Sequence, residues 1–168
     1  MQITVDEIKL FIEKNRYEML LFWENLVNLQ AGSREVDKLN RIMNFLKKHC
    51  DQEGISCRLV DTKGAANVLV AELNPEAQGA PILFSGHCDT VFPDGSYPQD
   101  PFYIKDGIAY GPGVCDMKQG VTETFYILVA LKHFGFTERP VKAVFVPDEE
   151  ISHVEGIADE ILMQEAKG

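Results

Sequence analysis

The sequence predicts one layered α/β domain in which helices cover a mixed β-sheet. Two long stretches with helical spacing of apolar residues open the chain, and short β-rich runs and further helical stretches follow in alternation. A chain of 168 residues is enough for one domain with a sizeable core. We see no internal repeat, low-complexity tract or domain boundary, so residues 1–168 are expected to form one unit.

The first two predicted helices carry apolar stripes that are expected to face the core. One helix is predicted over residues 5–29 and ends at a break over 30–33. Its stripe is Ile8, Phe11, Ile12, Leu20, Trp23 and Val27. A second helix is predicted over residues 35–53, where Gly54 provides a natural end. Its stripe is Leu39, Ile42, Met43, Leu46 and Cys50.

The remaining elements alternate between strands and helices. β-rich runs predict four strands, at residues 56–60, 67–73, 81–85 and 141–146. A small hairpin is predicted over 103–110, with its turn at Asp106-Gly107. Two further helices are predicted, over residues 117–134 and 156–166. The order α-α-β-β-β-hairpin-α-β-α suggests a layered α/β domain whose helices cover a mixed sheet.

Charge and hydropathy limit the partners. The net charge is −10, and phosphate recognition needs clustered Lys and Arg, so we expect no nucleic-acid partner. No apolar run approaches the ~20 residues of a membrane span, and we expect no membrane partner. The first residues lack a basic start followed by an apolar core, so no secretory signal is recognised.

The four cysteines are scattered and contain no C-x-x-C pair, which argues against a zinc finger or a thioredoxin-like site. Reduced thiols in a cytoplasmic protein are the simplest interpretation. Cys88 and Cys115 each precede an aspartate of interest. We interpret both as small residues that fill tight space, because a thiolate ligand would be soft beside so many carboxylates.

Three short motifs supply one histidine and four carboxylates. His87 and Asp89 follow the third predicted strand, Glu149 and Glu150 follow the fourth, and Asp116 lies where a Gly-Pro-Gly turn leads into a helix. Ligands in α/β sheets gather beyond the carboxyl ends of the strands, so these motifs could meet at one edge. Imidazole with carboxylates is a donor mixture that suits zinc.

The spacing within each motif indicates what each side chain could do. Asp89 lies two residues after His87 and can reach the imidazole in an extended chain. Glu149 and Glu150 are adjacent, so their side chains diverge, and one can bind metal while the other accepts a proton from activated water. Asp116 could bridge two ions ~3.5–4 Å apart.

Each motif alone also has a plainer interpretation. His-x-Asp occurs as a surface pair, and a run of acidic residues is usually solvated. The Gly-x-Gly at 111–113 could be a helix-capping turn, and it lacks the lysine and third glycine of the nucleotide-binding loops. The three motifs in this order, each after a suitable element, favour a joint metal site.

Together the motifs resemble the N-terminal half of the catalytic domain of the M20 metallopeptidases, which are zinc-dependent exopeptidases and deacylases. The stretch from Asp100-Pro101-Phe102 through Gly111-Pro112-Gly113 to Asp116-Met117-Lys118 is most similar to the glutamate carboxypeptidase branch. The resemblance runs from about residue 15 to the end. It implies an incomplete phosphorylase/hydrolase-like catalytic domain in which the lid domain is absent.

The resemblance also implies a role for each motif residue. His87, Asp116 and Glu150 would be metal ligands, with Asp116 shared by two zinc ions, although cobalt or manganese would also serve. The catalytic residues would be Asp89, which orients His87, and Glu149, the general base. A cis peptide is implied at Asp116–Met117. The substrate would be a small peptide or N-acyl amino acid with a free carboxylate, and its binding residues stay open.

The chain also departs from the family pattern. Gln119 stands where the family usually has glycine, and Ser152 and His153 occupy a loop that is more often rich in Gly and Ser. These departures lie beside the site and concern the fit of the substrate. We expect His153 to be an exposed loop histidine, with a local substrate contact as the alternative.

The family pattern includes a further acidic ligand about 25 residues after the Glu pair and a late histidine, both beyond Gly168. With two protein ligands for each ion, the chain alone is expected to bind metal weakly and to be inactive or nearly so. An apolar surface and a sheet edge are expected to be exposed, which predicts either self-association or that the chain is a piece of a longer protein. The alternative function is a non-catalytic fragment or interaction module that keeps the fold.

Overall fold

The computed structural model describes residues 3–167. The helices are α1 (Val5–Asn28), α2 (Val36–Gln52), α3 (Lys118–His133) and α4 (Ala158–Lys167). The strands are β1 (Ser56–Val60), β2 (Val68–Leu73), β3 (Ile82–His87), β4 (Tyr103–Lys105), β5 (Ile108–Tyr110) and β6 (Val141–Val146). A short 3-10 turn over Glu149–Ile151 follows β6.

The main sheet has the strand order β1-β2-β6-β3. β2 pairs antiparallel with β1 and β6, whereas β3 runs parallel to β6, so the sheet is mixed as the sequence predicts. His87 is in register with Val146, which places the carboxyl ends of β3 and β6 side by side. This shared end is where the candidate site forms.

The two faces of the sheet carry separate apolar clusters because side chains alternate along a strand. In β2, Leu69 and Ala71 face the larger cluster, which includes Phe22 of α1, residues of α2 and Phe125 of α3. Val68 and Val70 point to the opposite face, where α4 packs. The domain therefore has three layers, α/β/α, as expected.

The apolar stripe of α1 differs from the prediction. Ile8, Ile12 and Leu20 are 41%, 46% and 37% exposed, whereas the buried side chains of α1 are Phe11, Phe22, Leu26 and Val27. The N-terminal half of α1 touches the rest of the domain through Phe11, whose ring contacts those of His133 and Phe134. Because that half has little to pack against, its remaining apolar side chains stay in solvent.

Smaller differences concern the ends of elements. β3 extends to His87, two residues beyond the predicted end, so this histidine is the last strand residue rather than a loop residue. α4 begins at Ala158, two residues later than predicted. The hairpin turn at Asp106 and Gly107 is confirmed, and both residues have positive φ (52° and 78°), as such tight turns require.

β3 is an edge strand, since no strand within residues 3–167 pairs with its other side. The exposed edge expected from the sequence is thus present in the described part of the chain. None of the described helices is both long and apolar enough to cross a membrane.

Candidate metal centre

His87 lies at the carboxyl end of β3 with a carboxylate on each ring nitrogen. Its Nδ1 is 3.1 Å from Oδ1 of Asp89, and its Nε2 is 3.1 Å from Oδ1 of Asp116. Burial of the ring opposes protonation, but the hydrogen bonds to Asp89 and Asp116 outweigh it and raise the pKa of His87 to about 9. The structure therefore brings His87, Asp89 and Asp116 together as the motifs predict.

Asp89 is fully buried and, besides its contact with His87, accepts hydrogen bonds from three donors in two other segments of the chain. The hydroxyl of Ser33 donates to Oδ2 at 2.6 Å. The backbone N–H groups of Glu149 and Glu150 donate to Oδ1 and Oδ2 at 3.2 and 3.1 Å. One carboxylate thus holds the histidine, the segment between α1 and α2, and the acidic pair after β6 in fixed relation.

Three side chains present donor atoms to one point. A ligand atom from each of His87, Asp116 and Glu150 lies within 4.8 Å of the other two. Burial raises the pKa of Glu150, and the neighbouring carboxylates of Asp89, Asp116 and Glu149 add to this, whereas His87 opposes it. A divalent cation would relieve such crowding of negative charge. One imidazole and two carboxylates match the donors that zinc accepts, so the residues fit a metal site.

Glu149 lies beside this group without belonging to it. Its Oε2 is 3.9 Å from Nε2 of His87, and its side chain is 55% exposed. The two glutamates diverge as their adjacency predicts: Glu150 joins the donor group, and Glu149 faces solvent next to it.

The turn before α3 places Asp116. The Asp116–Met117 peptide is cis, as the resemblance implied. The backbone N–H of Lys118 donates to the carbonyl of Gly113 at 2.9 Å and closes the turn. Gly113 has a φ of +69°, and a Cβ there would lie 2.7 Å from Cγ2 of Thr90. Glycine is needed at this position because both the backbone conformation and the space require it.

Two residues of the site's support were missed by sequence reasoning. Ser33 lies in the helix-breaking segment over 30–33, and nothing in that segment shows that its hydroxyl reaches Asp89. Lys118 is completely buried, and its Nζ donates to the carbonyl of Leu29 at 2.9 Å. Burial lowers the pKa of Lys118 to about 8. A lysine at the start of a helix is normally exposed, so the sequence predicts a solvated position for Lys118.

The expectation that His153 is an exposed loop histidine is wrong. Its side chain is 17% exposed, and its Nδ1 lies 2.8 Å from Oδ1 of Asp148, which is itself fully buried. The 3-10 turn after β6 folds the chain back and brings His153 against the residue that precedes the Glu pair.

The cysteines are free thiols. Cys88 is buried, as expected for a small residue in tight space, and burial raises its pKa to about 12. Cys115 is exposed, so the same interpretation is wrong for that residue. It precedes the Asp116–Met117 peptide in the turn, where its side chain is directed outwards while the next residue reaches the site.

Comparison with known proteins agrees with this geometry. The sequence model of peptidase family M20/M25/M40 matches residues 83–166, which include β6, all of β3 but its first residue, and all three motifs of the candidate site. The chain belongs to this family. The M20 resemblance carried by the motifs is therefore confirmed.

Two curated relatives show how much of a family member the chain represents. Carboxypeptidase G2 of Pseudomonas sp. (strain RS-16) is 28% identical over 130 residues, 76% of this chain and 31% of the relative. Succinyl-diaminopimelate desuccinylase of Sulfurimonas denitrificans is 30% identical over 112 residues, 65% of this chain and 28% of the relative. The M20 chain described here thus matches less than a third of the length of either enzyme.

Solved structures of the family share the fold. Human carnosine dipeptidase 1 superposes with a TM-score of 0.81 at 20% identity, over 98% of this chain and 38% of its own. The M20 family metallo-carboxypeptidase Sso-CP2 of Sulfolobus solfataricus gives a TM-score of 0.73 at 23% identity, over 90% of this chain and 36% of its own. The layered α/β arrangement of this M20 chain is therefore that of family members, of which it covers a part.

Proposed function

We propose that the protein hydrolyses an amide bond in a small peptide or an N-acyl amino acid with a free carboxylate, with residues 1–168 forming part of its catalytic domain. The observation that carries the proposal is the meeting of donor atoms from His87, Asp116 and Glu150 within 4.8 Å, beside Glu149, in a chain of the M20 family. Relatives named as a carboxypeptidase and as a desuccinylase support this class of reaction.

His87, Asp116 and Glu150 would hold the metal, which we expect to be two zinc ions that share Asp116, although cobalt or manganese would also fit these donors. When bound, such ions supply Lewis-acid chemistry that activates water and polarises the amide carbonyl. Asp89 would orient the ring of His87, because its carboxylate accepts the proton on Nδ1 and leaves Nε2 for the metal.

Glu149 is the proposed general base. Its carboxylate lies close to His87 yet outside the donor group, and more than half of its side chain is open to solvent. A carboxylate in this position can accept a proton from the attacking water and deliver it to the leaving amine. Within the described residues the backbone of Glu149 is held by Asp89, and its carboxylate makes no hydrogen bond that would compete with proton transfer.

The chain alone is expected to be a poor catalyst. If two ions share Asp116, the three converging residues of the described chain would offer His87 and Asp116 to one ion and Asp116 and Glu150 to the other, two protein ligands each. Stable zinc sites use three or four protein ligands. We therefore expect weak zinc binding and no more than trace hydrolysis from the 168-residue chain.

The test is hydrolysis of N-acyl amino acids and dipeptides by the zinc-loaded protein at its full natural length. The reaction is measured by the amount of free amine released. Glu149→Gln should lower kcat by about a hundredfold or more at unchanged zinc content, since a positioned base contributes that much. Glu138→Gln, an exposed acid in the loop before β6, is the control and should behave as wild type. Undiminished turnover by Glu149→Gln would contradict the proposal.

We also expect self-association, because the free edge of β3 presents unpaired backbone groups. Sedimentation velocity over a range of concentrations measures it, and a monodisperse monomer at every concentration would contradict it. The acidic net charge of −10 supports the absence of a nucleic-acid partner. A cytoplasmic location and the absence of a membrane partner remain predictions from the sequence.

A further inference from the structure

His153 lines a cavity together with the proposed base Glu149 and two of the proposed metal ligands. The cavity has a volume of about 290 Å³ and lies at the carboxyl ends of β3 and β6. Its polar wall includes His87, Asp116, Glu149 and His153. The sequence left a local substrate contact of His153 as an alternative, and the proposed reaction gives this residue no task.

A buried carboxylate fixes the ring of His153. Its Nδ1 is 2.8 Å from Oδ1 of Asp148, and Asp148 has no exposed surface. Oδ2 of Asp148 is buried and has no hydrogen-bond partner within residues 3–167. A buried carboxylate oxygen without a hydrogen bond is costly, and native structures keep few of them. Asp148 is therefore kept in place at a cost, and the side-chain contact that it makes in the described chain is with the ring of His153.

The backbone around the ring is held in an uncommon conformation. Ser152 and His153 both have a φ of 57°, in the left-handed region that residues other than glycine seldom occupy. The N–H of His153 donates to the carbonyl of Asp148 at 3.0 Å. Such conformations persist where surrounding contacts hold them, and they cluster at functional sites.

The far side of the same turn is anchored to the segment after β1. The N–H of Ile157 donates to the carbonyl of Thr62 at 3.1 Å. A Cβ at Gly64 would lie 1.9 Å from the carbonyl oxygen of Glu155, so only glycine permits this approach. The turn that carries His153 is thus fixed at both ends.

The pair Asp148–His153 repeats the arrangement of Asp89–His87, with a buried carboxylate on Nδ1 of each ring. The two rings differ at Nε2. That of His87 meets Asp116 at 3.1 Å, whereas the hydrogen-bond contacts of the His153 ring within the described chain are confined to Nδ1. His153 is also not one of the three residues whose donor atoms converge. Its Nε2 is therefore available to a ligand of the cavity other than the metal.

We propose that His153 contacts the substrate: its Nε2 forms a hydrogen bond with a polar atom of the group next to the scissile amide. Met117, Val146 and Leu162 provide apolar walls in the same cavity. The occupant that fits is a short aliphatic acyl or side-chain group with one hydrogen-bonding atom. Asp148 is a positioning residue that acts through the ring. This inference rests on the proposed function, because it concerns the substrate of that same site.

Steady-state kinetics of the full-length, zinc-loaded protein test the proposal. His153→Ala should raise KM about tenfold, the effect of losing one hydrogen bond to the substrate, with a smaller change in kcat and unchanged zinc content. His153→Gln serves as a second variant if the alanine substitution unfolds the turn. Val154→Ala changes the exposed neighbour in the same turn and should match wild type. An unchanged KM in both His153 variants would overturn the proposal.

Asp148 is tested in the same assay. Asp148→Asn keeps an oxygen that can accept the Nδ1 proton and should stay within a fewfold of wild type, whereas Asp148→Ala should raise KM as His153→Ala does. If Asp148 only stabilised the fold, its variants would give less folded protein, and KM would not be restored in Asp148→Asn relative to Asp148→Ala. Equal kinetics for the two Asp148 variants would contradict the positioning role.

A direct binding readout separates this proposal from the proposed function. Long-range ¹H–¹⁵N NMR of the histidine rings is followed while N-acetyl-L-leucine is added to the zinc-loaded protein. The Nε2 resonance of His153 should move, and that of the exposed His133 should not. If the protein hydrolyses none of the compounds but the His153 resonance moves, the proposed reaction fails and the contact stands. No movement at His153 overturns the contact.

Discussion

The hydroxyl of Ser33 donates a 2.6 Å hydrogen bond to the buried carboxylate of Asp89, across 56 residues of sequence. Through this bond the segment between α1 and α2 becomes part of the support of the candidate metal centre. Asp89 in turn holds His87 and the backbone of both glutamates, so one buried acid connects every part of the site except Asp116.

Removing the hydroxyl of Ser33 should weaken metal binding. Ser33→Ala leaves Oδ2 of Asp89 with the N–H of Glu150 as its donor. Loss of a direct partner of a metal-binding histidine costs ~10–100-fold in metal affinity, and Ser33 is one contact further out, so we expect a loss of up to about tenfold. Zinc titration with a competing chromophoric chelator measures the change. Ser96→Ala, an exposed serine in the loop after β3, should have no effect. Equal affinities for Ser33→Ala and Ser96→Ala would contradict the supporting role of Ser33.

The fold could be predicted from the sequence where its pattern was strong and local. Apolar periodicity located α2 and its whole buried stripe, and β-rich runs located the four sheet strands within two residues. Apolar periodicity gave the wrong buried face in the first half of α1, where Ile8 and Ile12 have helical spacing but are exposed. Periodicity reports which face could be buried, and only the tertiary structure decides whether something covers it.

The candidate site likewise contains residues that the sequence predicted and residues that it did not. His87, Asp116 and the Glu pair follow recognisable elements, and their meeting at one sheet edge follows from the parallel pairing of β3 with β6. Ser33 and His153 lie in irregular segments, and their side chains reach the site through long-range contacts that carry no sequence period. These contacts depend on how the loops return to the domain, which local propensity does not encode.

The buried and exposed residues of α1 should differ in how much they contribute to stability. Phe22 is 3% exposed, and its ring stacks on that of Phe125 with centroids 4.7 Å apart, so Phe22→Ala should lower the free energy of unfolding by about 3–5 kcal/mol. Ile12→Ala removes a largely exposed side chain and should change it by less than about 0.5 kcal/mol. Urea unfolding of both variants measures the difference, and similar losses for the two would contradict the described packing of α1.

The stability of the metal-free chain should fall at high pH because of Cys50. Burial raises the pKa of this thiol to about 12, well above that of an exposed thiol in the unfolded chain. A raised pKa favours folding below the unfolded value of ~8.5, and that contribution is lost as the pH rises from there towards 12. Each pH unit in this window should cost on the order of 1 kcal/mol.

Urea unfolding at pH 8 and pH 10 measures this loss in wild type and in Cys50→Ala. The absolute stability of the variant is lower because a buried side chain is truncated, so the change between the two pH values is compared instead. The variant should lose less stability between pH 8 and pH 10 than wild type does. The same loss in both proteins would show that Cys50 is not responsible for the pH dependence.

Calorimetric titration of the 168-residue chain with zinc tests the central claim most directly, with His87→Ala and the exposed His133→Ala measured beside it. The account predicts weak binding that His87→Ala abolishes and His133→Ala leaves intact, because the ring of His87 is the only imidazole among the converging donors of the described chain. The absence of zinc binding, or binding that survives His87→Ala unchanged, would contradict the metal centre. Tight binding of two ions would contradict the ligand count on which the expected weakness rests.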